Sequence, residues 1–415
     1  MKLLIVSSLL VITSPFGLQS KCNKETALIQ ARKPIYEFSV RILDRVAQDT
    51  RGHFVFSPLT TWLQLLNLAE GAEEKTREEI IKLIRYNRGQ CYRNQVRNII
   101  NSLDKEINII ARRRSYIVID NIFDVNKIYK TTVERLNAAK VMSLDFKNAE
   151  ESAAVLNAII EKDANGRITD FVDATDFENS RTFVTDISYL KADWASPFNA
   201  MFTRPEPFYT YDKVHTGYVY MMNQVGYFNV TDIPTINARA LELPFNGRLT
   251  MIFLLPNKGR PRDLFWTLKD VNLRTIYELF ESSGVQLVNV KLPRFRITSD
   301  IDNIPELIND IGVSSMFSPS KANFKGISDY KLFVSMMSSA VDLEVTEEGV
   351  SVNAAAQFLI SPGNATDFFL NRPIRNTYFS VCKCIYNHKR ISVVSVTALG
   401  LSRILNCLLN CVKET

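Results

Sequence analysis

The stretch from residue 347 to residue 373 constrains the fold of this chain more than any other. Glu347-Glu348-Gly349 precede a run of mostly small residues that includes Ala354-Ala355-Ala356, and Phe369-Leu370-Asn371-Arg372-Pro373 follows about a dozen residues later. Glycine permits backbone angles that other residues resist, and alanine side chains are small enough to pass between two strands. The pattern predicts a hinge followed by a segment that can leave the surface and enter a β-sheet as a new strand.

The amino terminus has the composition of a secretory signal peptide. Lys2 precedes a short apolar run, and small or polar residues follow it. Such a run is too short for a membrane span. We expect cleavage near Ser20, so that residues 1–20 are the signal peptide, residues 21–400 form one domain, and residues 401–415 are a C-terminal extension. The mature protein is expected to be secreted and extracellular.

Helical patterns dominate the first half of the chain. Thr76 and Glu79 have the spacing of a capping box, and the apolar residues that follow predict a helix. Further helices are predicted over about 92–109 and 150–162, and a short one between Pro305 and Gly312.

Strand patterns dominate the second half. An apolar run over 249–255 and alternating residues over 288–292 predict strands. Two strand-like segments, 378–386 and 391–396, flank Asn387-His388-Lys389-Arg390 and predict a hairpin. Helices early and strands late favour the α+β class.

The chain has six cysteines, which are Cys22, Cys91, Cys382, Cys384, Cys407 and Cys411. Export permits disulfides. The pair at 382 and 384 and the pair at 407 and 411 are poorly spaced for local bridges. A bond from Cys22 to the C-terminal tail and a bond to another molecule both remain open, and buried free thiols are the alternative for Cys382 and Cys384.

Several ordered motifs make the chain resemble the serpin family over about residues 30–400. These motifs are Phe56-Ser57-Pro58-Leu59, Gly71-Ala72 with Thr76, Asn121-Ile122-Phe123, Tyr189-Leu190-Lys191-Ala192-Asp193-Trp194, Met221-Met222-Asn223-Gln224, Leu241-Glu242-Leu243-Pro244-Phe245 and Leu292-Pro293-Arg294-Phe295. The resemblance implies three β-sheets, eight or nine helices, and an exposed reactive-centre loop over about 349–368. It also implies that a serine protease cuts the loop, which then inserts into the large sheet and carries the protease to the far pole.

The expected loop departs from the inhibitory pattern of that family. Its hinge comprises Glu347, Glu348, Gly349 and Val350, and family inhibitors usually have Thr or Ser where Val350 stands. Val352 and Asn353 also interrupt the usual run of small residues. Valine favours strands, so we expect insertion to be slowed rather than blocked.

The bait residue is the second departure. Counting the family's spacing from Glu347 predicts a scissile bond near Gly363-Asn364, and no Lys or Arg lies between Gly349 and Leu370. A trypsin-like protease needs a basic side chain at this position. Another register would offer Phe358, Leu359 or Ile360 to a chymotrypsin- or elastase-like enzyme. The candidate scissile region comprises Ile360, Ser361, Pro362, Gly363 and Asn364.

Two glycosylation sequons occur, at Asn229 and Asn364. A glycan on Asn364 would obstruct protease docking at the predicted bond. Unused or merely surface-decorating sequons are the alternative.

Basic residues cluster around one predicted helix and the segment after it. They are Arg85, Arg88, Arg93, Arg97, Arg112, Arg113 and Arg114. Arg93 and Arg97 share a helix face, and guanidinium groups suit sulfate and phosphate. We expect a heparin-like polysaccharide as a modulator and an anionic phospholipid surface as a further partner. A solvated helix face is the alternative.

The combined interpretation is a secreted serpin that restrains serine proteases. More narrowly, the chain is similar to salivary anticoagulant serpins of blood-feeding mosquitoes, which implies coagulation factor Xa as target. Without a basic bait, that target would require an atypical mechanism. The alternative is a non-inhibitory serpin that acts as a carrier or scaffold.

An enzyme is disfavoured. The chain has three histidines and no nucleophile-elbow, P-loop or zincin motif. Cys382, Cys384 and His388 are explained better by a hairpin than by a metal. We expect a monomer with no cofactor, no metal and no nucleic-acid partner.

Overall fold

The computed structural model describes residues 22–50, 54–87, 89–107, 111–135, 139–163, 166, 169–178, 182–209, 215–247, 249–257, 264, 267–271, 273–301, 303–362, 383–386 and 389–392. In this part of the chain, nine α-helices and three sheets form an α+β fold. The predicted class, sheet number and helix number are therefore confirmed. No helix in these ranges is long and apolar enough to cross a membrane.

The helices are α1 (Lys24–Asp49), α2 (Pro58–Gly71), α3 (Glu74–Ile84), α4 (Gln90–Ile107), α5 (Lys127–Arg135), α6 (Ala149–Asp163), α7 (Ala174–Glu178), α8 (Leu273–Ser283) and α9 (Ile304–Asp310). Pro58 opens α2, where its fixed φ suits the first turn, and almost every residue of α2 is buried. The predicted helices at 92–109 and 150–162 are observed as α4 and α6, and the short one after residue 304 as α9.

The strands are β1 (Ala111–Asp120), β2 (Lys140–Leu144), β3 (Thr182–Asp193), β4 (Arg204–Tyr209), β5 (His215–Ile233), β6 (Ala238–Pro244), β7 (Thr250–Pro256), β8 (Val285–Pro293), β9 (Phe295–Ile301), β10 (Leu332–Val345), β11 (Gly349–Pro362), β12 (Lys383–Tyr386) and β13 (Lys389–Ser392). The large sheet has the order β2-β1-β3-β11-β10-β9. A second sheet has the order β4-β5-β6-β7, with β8 also paired to β5. The predicted C-terminal hairpin is observed as β12 and β13.

One main hydrophobic core joins the helices to both larger sheets. Trp62, Phe38, Phe56 and Phe253 are among its fully buried side chains. A smaller core lies between β1, α6 and α7 around Leu156 and other apolar residues. These cores fix the strands that flank β11.

A disulfide joins Cys22, just before α1, to Cys91 in the first turn of α4, with their Cα atoms 6.2 Å apart. Sequence spacing alone left the partner of Cys22 open, with the tail or another molecule as alternatives. The structure instead joins two segments 69 residues apart. The bond anchors the start of α1 to the helix that carries Arg93 and Arg97.

The predicted capping box at Thr76 and Glu79 is wrong. The helix begins earlier, at Glu74, and both side chains accept hydrogen bonds from a segment far along the chain, within residues 314–323. The Thr76 hydroxyl accepts a hydrogen bond from the Asn323 amide (3.1 Å), and Glu79 accepts from the amides of Ser314 (2.9 Å) and Ser315 (2.8 Å) and from the Ser315 hydroxyl (2.8 Å). Local spacing cannot reveal partners more than 230 residues away.

This Glu79 contact predicts an acid-sensitive contribution to stability. Partial burial raises the pKa of Glu79, but the hydrogen bonds from Ser315 and Ser314, with the charge of Lys75, lower it below its ordinary value. The contribution is therefore present at neutral pH and is lost as the pH falls below about 4.5. We expect Glu79→Ala to reduce the free energy of unfolding by about 1.5–3 kcal/mol at pH 7.

Urea unfolding at pH 7 and at pH 3 measures this effect. The difference between wild type and Glu79→Ala should shrink at the lower pH. Glu78→Ala removes an exposed neighbouring carboxylate and is the matched control. Equal losses for the two variants at pH 7 would contradict the assigned role of Glu79.

Candidate functional site: the inserted strand and its hinge

The segment expected as an exposed loop is a strand inside the large sheet over residues 349–362. β11 pairs antiparallel with β3 from Gly349↔Asp193 to Ile360↔Thr182, and with β10 from Val350↔Val345 to Pro362↔Leu332. The expectation of an exposed loop is wrong for these residues. Insertion gives the segment a partner strand on both edges, which satisfies backbone groups that a loop would leave to water.

The turn between β10 and β11 consists of residues 346–348, and backbone hydrogen bonds fix its position. The Thr346 amide donates to Gly349 O (2.9 Å), the Phe198 amide to Glu347 O (2.9 Å), and the Trp194 amide to Glu348 O (2.8 Å). The predicted hinge residues thus lie together against the segment that follows β3.

Glu347 is a buried carboxylate at the hinge. Its side chain accepts a hydrogen bond from the Thr203 hydroxyl at 2.8 Å, and only 6 % of the residue is exposed. Buried carboxylates require such partners because desolvation is costly. The hinge sequence alone did not indicate Thr203, which lies 144 residues away.

Glu348 faces solvent beside the hinge. A hydrogen bond from the Thr346 side chain lowers the pKa of Glu348, and the nearby positive charges of Arg294 and Lys191 lower it further. The carboxylate is therefore ionised at neutral pH and adds a negative charge at the point where the chain enters the sheet.

Gly349 makes the closest backbone approach at this site. A Cβ built there would lie 2.2 Å from Ala192 O and 2.7 Å from the Asp193 Cα. Real Cβ atoms do not approach backbone so closely, so residue 349 must lack a side chain when the strand is inserted. Glycine here is required for packing between strands.

Trp194 connects β3 to the hinge. Its indole N–H donates to Thr346 O (3.0 Å), and its ring stacks on Phe245 with centroids 4.6 Å apart. The residue is 2 % exposed. The indole is therefore placed to report on hinge position by fluorescence.

Val350 and Val352 are accommodated in the sheet. Both belong to the main core, with 3 % and 8 % of their surface exposed. Ser351 between them is half-buried. The two valines that depart from the inhibitory pattern therefore occupy core positions of the inserted strand, where β-branched residues pack well.

The basic residues predicted to bind heparin do not form one free surface in the described ranges. Arg93 and Arg97 on α4 both pair with Glu70 of α2, and Arg97 is only 6 % exposed. Arg85 pairs with Glu37 of α1. Sequence spacing placed Arg93 and Arg97 on one face, but nothing in it indicated that the face turns toward Glu70.

The remaining predicted basic residues lie on or near β1. Arg112, Arg113 and Arg114 are in the first half of that strand, and the Arg114 side chain is exposed. Arg88 lies outside the described residues.

The two predicted glycosylation sites differ in what surrounds them. Asn229 lies in β5 between β6 and β8, and its amide donates to the buried Glu242 carboxylate at 2.7 Å. Thr231 of the same sequon is buried, with its hydroxyl 2.8 Å from that of Ser283. Asn364 and Gly363 lie outside the described residues, whereas Ile360, Ser361 and Pro362 end β11.

Comparisons with known proteins agree with this architecture. The family model described as "Serpin (serine protease inhibitor)" matches residues 34–375. Mouse Serpin A9 is 27 % identical over 77 % of this chain and 76 % of its own length. Human antithrombin-III is 31 % identical over 61 % of this chain and 56 % of its own length.

A solved structure extends this agreement to the fold. Cleaved Serpin 42Da superposes with a TM-score of 0.73 at 23 % identity, covering 90 % of this chain and 98 % of that one. The family model spans most of the chain, and β11 occupies the sheet of a fold shared with a cleaved member. This chain therefore belongs to the serpin family, whose members are generally serine protease inhibitors.

Proposed function

We propose that this protein restrains a serine protease by inserting residues 349–362 into its large sheet after the protease attacks the segment. The observation that supports this proposal is the pairing of β11 with β3 and β10 along its length, with one register shift in β10 between Val334 and Met336. The described structure is then the inserted state, reached from an active state with the segment outside the sheet. Insertion is downhill because it adds two ladders of backbone hydrogen bonds and buries Val350 and Val352.

Pairing of β11 with β10 as far as Pro362 supports a cleaved bond beyond that residue, and we propose the bond Gly363-Asn364. A cut at Phe358, Leu359 or Ile360 would leave the last residues of the strand on the released side. Mass spectrometry of the C-terminal peptide released by a target protease tests this assignment, and a peptide beginning at Asn364 is the expected product.

We propose a coagulation protease, factor Xa, as the target. The similarity to human antithrombin-III supports a target in coagulation. No Lys or Arg lies between Gly349 and Leu370, so the target must recognise a surface outside the bait bond. For factor Xa we therefore propose a second mechanism, separate from insertion, in which a surface outside the bait bond binds the enzyme and inhibits it without the usual SDS-stable complex.

A protease panel tests the target. Coagulation and digestive proteases are incubated with the protein, with and without heparin, and residual activity and SDS-stable complexes are measured. Factor Xa inhibition without a complex supports the atypical mechanism. Failure to inhibit any member of the panel rejects the inhibitory function.

We propose that heparin-like polysaccharide, or an anionic phospholipid surface, binds near Arg112, Arg113 and Arg114. The exposure of Arg114 supports this position. Arg93 and Arg97 contribute only when they are released from Glu70, because both pair with that carboxylate.

Charge reversal tests the polysaccharide site. We expect the triple change of Arg112, Arg113 and Arg114 to Glu to elute from heparin at clearly lower salt, since each removed contact weakens polyanion binding. The control changes Lys321, Lys325 and Lys331 to Glu, three exposed lysines elsewhere, for the same change in net charge. Equal elution shifts for the two variants would contradict the site.

Secretion and a monomeric state complete the proposal. The signal-like amino terminus supports export, and so does the Cys22–Cys91 disulfide, because such bonds persist in oxidising compartments.

The second candidate is a non-inhibitory carrier or scaffold. The missing basic bait and the sequon at Asn364 favour it. Thermal unfolding before and after cleavage of the 363–373 region separates the two candidates. An inhibitor gains a large increase in Tm on cleavage because insertion follows, whereas a carrier gains little.

A further inference from the structure

A row of side chains crosses the large sheet near the hinge. Lys191 of β3 is opposite Ser351 of β11, Ser351 is opposite Glu344 of β10, and Glu344 is opposite Arg296 of β9. Residues directly opposite each other in a sheet share a face. Lys191 and Glu344 are therefore opposite charges on one face, separated only by the inserted strand.

Neither charge has an ion-pair partner in the described part of the chain. Arg296 lies opposite Glu344 and its positive charge interacts with that carboxylate, but its guanidinium makes its two hydrogen bonds to Asp342, at 2.8 and 2.9 Å. Lys191 lies near enough to the exposed Glu348 to influence its ionisation, without forming an ion pair. Insertion thus leaves a cation and an anion facing each other across Ser351.

The strand-out arrangement would bring these two charges together. β3 and β10 both run antiparallel to β11, so they are parallel to each other. With β11 in place the two backbones are about 10 Å apart, and adjacent strands are about 4.8 Å apart. If β3 and β10 close without sliding, Lys191 and Glu344 become direct cross-strand neighbours.

We propose that Lys191 and Glu344 form an ion pair when the large sheet is closed, and that this pair slows the entry of residues 349–362. The inference rests on the proposed function, because it requires a state with that segment outside the sheet. The pair stabilises the closed sheet and must break before a strand can enter. Lys191 and Glu344 are thus positioning residues that set the rate of insertion.

The effect on the rate should be modest. Ion pairs on protein surfaces contribute up to about 1 kcal/mol, which corresponds to a change of about two- to fivefold in rate. The effect should also weaken in high salt, because exposed charges are screened.

Uptake of a synthetic strand tests the pair. A peptide with the sequence of residues 350–361 is mixed with the full chain, and its entry is followed by Trp194 fluorescence and by the rise in Tm. We expect Lys191→Met and Glu344→Gln each to take up the peptide about two- to fivefold faster than wild type. The charge-swapped double variant, Lys191→Glu with Glu344→Lys, should return to the wild-type rate.

Two controls isolate the pair. Glu150→Gln removes an exposed carboxylate on α6, away from the row and the hinge, and Lys140→Met removes an exposed lysine on the distant strand β2. Both should keep the wild-type rate. Equal rates for wild type, Lys191→Met and Glu344→Gln overturn the pair alone. A wild-type chain that takes up no peptide overturns the proposed function and the pair together.

Discussion

Replacing Gly349 with valine is expected to keep residues 349–362 out of the large sheet. A Cβ at this position meets Ala192 O at 2.2 Å and the Asp193 Cα at 2.7 Å. Both obstacles are backbone atoms of β3, which the main core holds in place. Overpacking of this kind typically costs about 1–3 kcal/mol, and branching at Cβ adds two more atoms to the same gap.

Cleavage followed by thermal unfolding measures the effect. Wild type should gain a large increase in Tm after cleavage near residue 363, whereas Gly349→Val should gain little and should trap a protease that cleaves the segment roughly tenfold less well. Ser351→Ala changes a half-buried residue two positions along the same strand and should behave as wild type. A full gain in Tm for Gly349→Val would contradict the close approach at β3.

Replacing Glu70 with alanine is expected to destabilise the protein by about 3–5 kcal/mol. Glu70 of α2 pairs with both Arg93 and Arg97 of α4, and the side chains of Glu70 and Arg97 are 8 % and 7 % exposed. Loss of the carboxylate removes the Glu70 charge from beside the buried Arg97 guanidinium. Almost every residue of α2 is buried, so the loss should affect global unfolding.

Urea unfolding of Glu70→Ala and Glu37→Ala compares the loss of unfolding free energy at a buried and at a more exposed carboxylate. Glu37→Ala removes the partner of Arg85, whose side chain is 58 % exposed, and should cost less than about 1 kcal/mol. Similar losses for Glu37→Ala and Glu70→Ala would show that the Glu70 cluster is no more stabilising than a surface pair. Glu70→Ala should also bind heparin more tightly if freed Arg93 and Arg97 reach the solvent.

The order of motifs along the chain was sufficient to predict the class of fold, because each motif marks an element that packs in a fixed place. Pro305 and Gly312, for example, predicted a short helix between them, which is observed as α9. Alternation at 288–292 likewise identified β8. These features depend on local backbone preference and on the spacing of apolar residues.

Long-range partners were not predictable in the same way. Glu79 has the local spacing of a capping residue, yet it binds Ser314 and Ser315. Arg93 and Arg97 have the spacing of an exposed helix face, yet they bind Glu70. In each case a charged side chain had several chemically acceptable partners, and only the packing of the elements decides among them.

The state of the hinge segment was the hardest feature to predict. Valine at 350 and 352 and alanine at 354 suit a strand, while Gly349 and the small residues also suit a mobile loop. A sequence that must adopt both arrangements carries the signals of both. Its position in the structure is decided by the gap between β3 and β10, which no local pattern describes.

The burial of Val350 and Val352 has a consequence for handling the protein. Outside the sheet, these side chains and the apolar residues that follow at alternate positions would be exposed to water. The extended segment would also have unpaired backbone groups on both edges. It could then pair with the open sheet of another molecule as readily as with its own. The lifetime of the protein in solution should therefore depend on concentration, and dilute storage should preserve it longest.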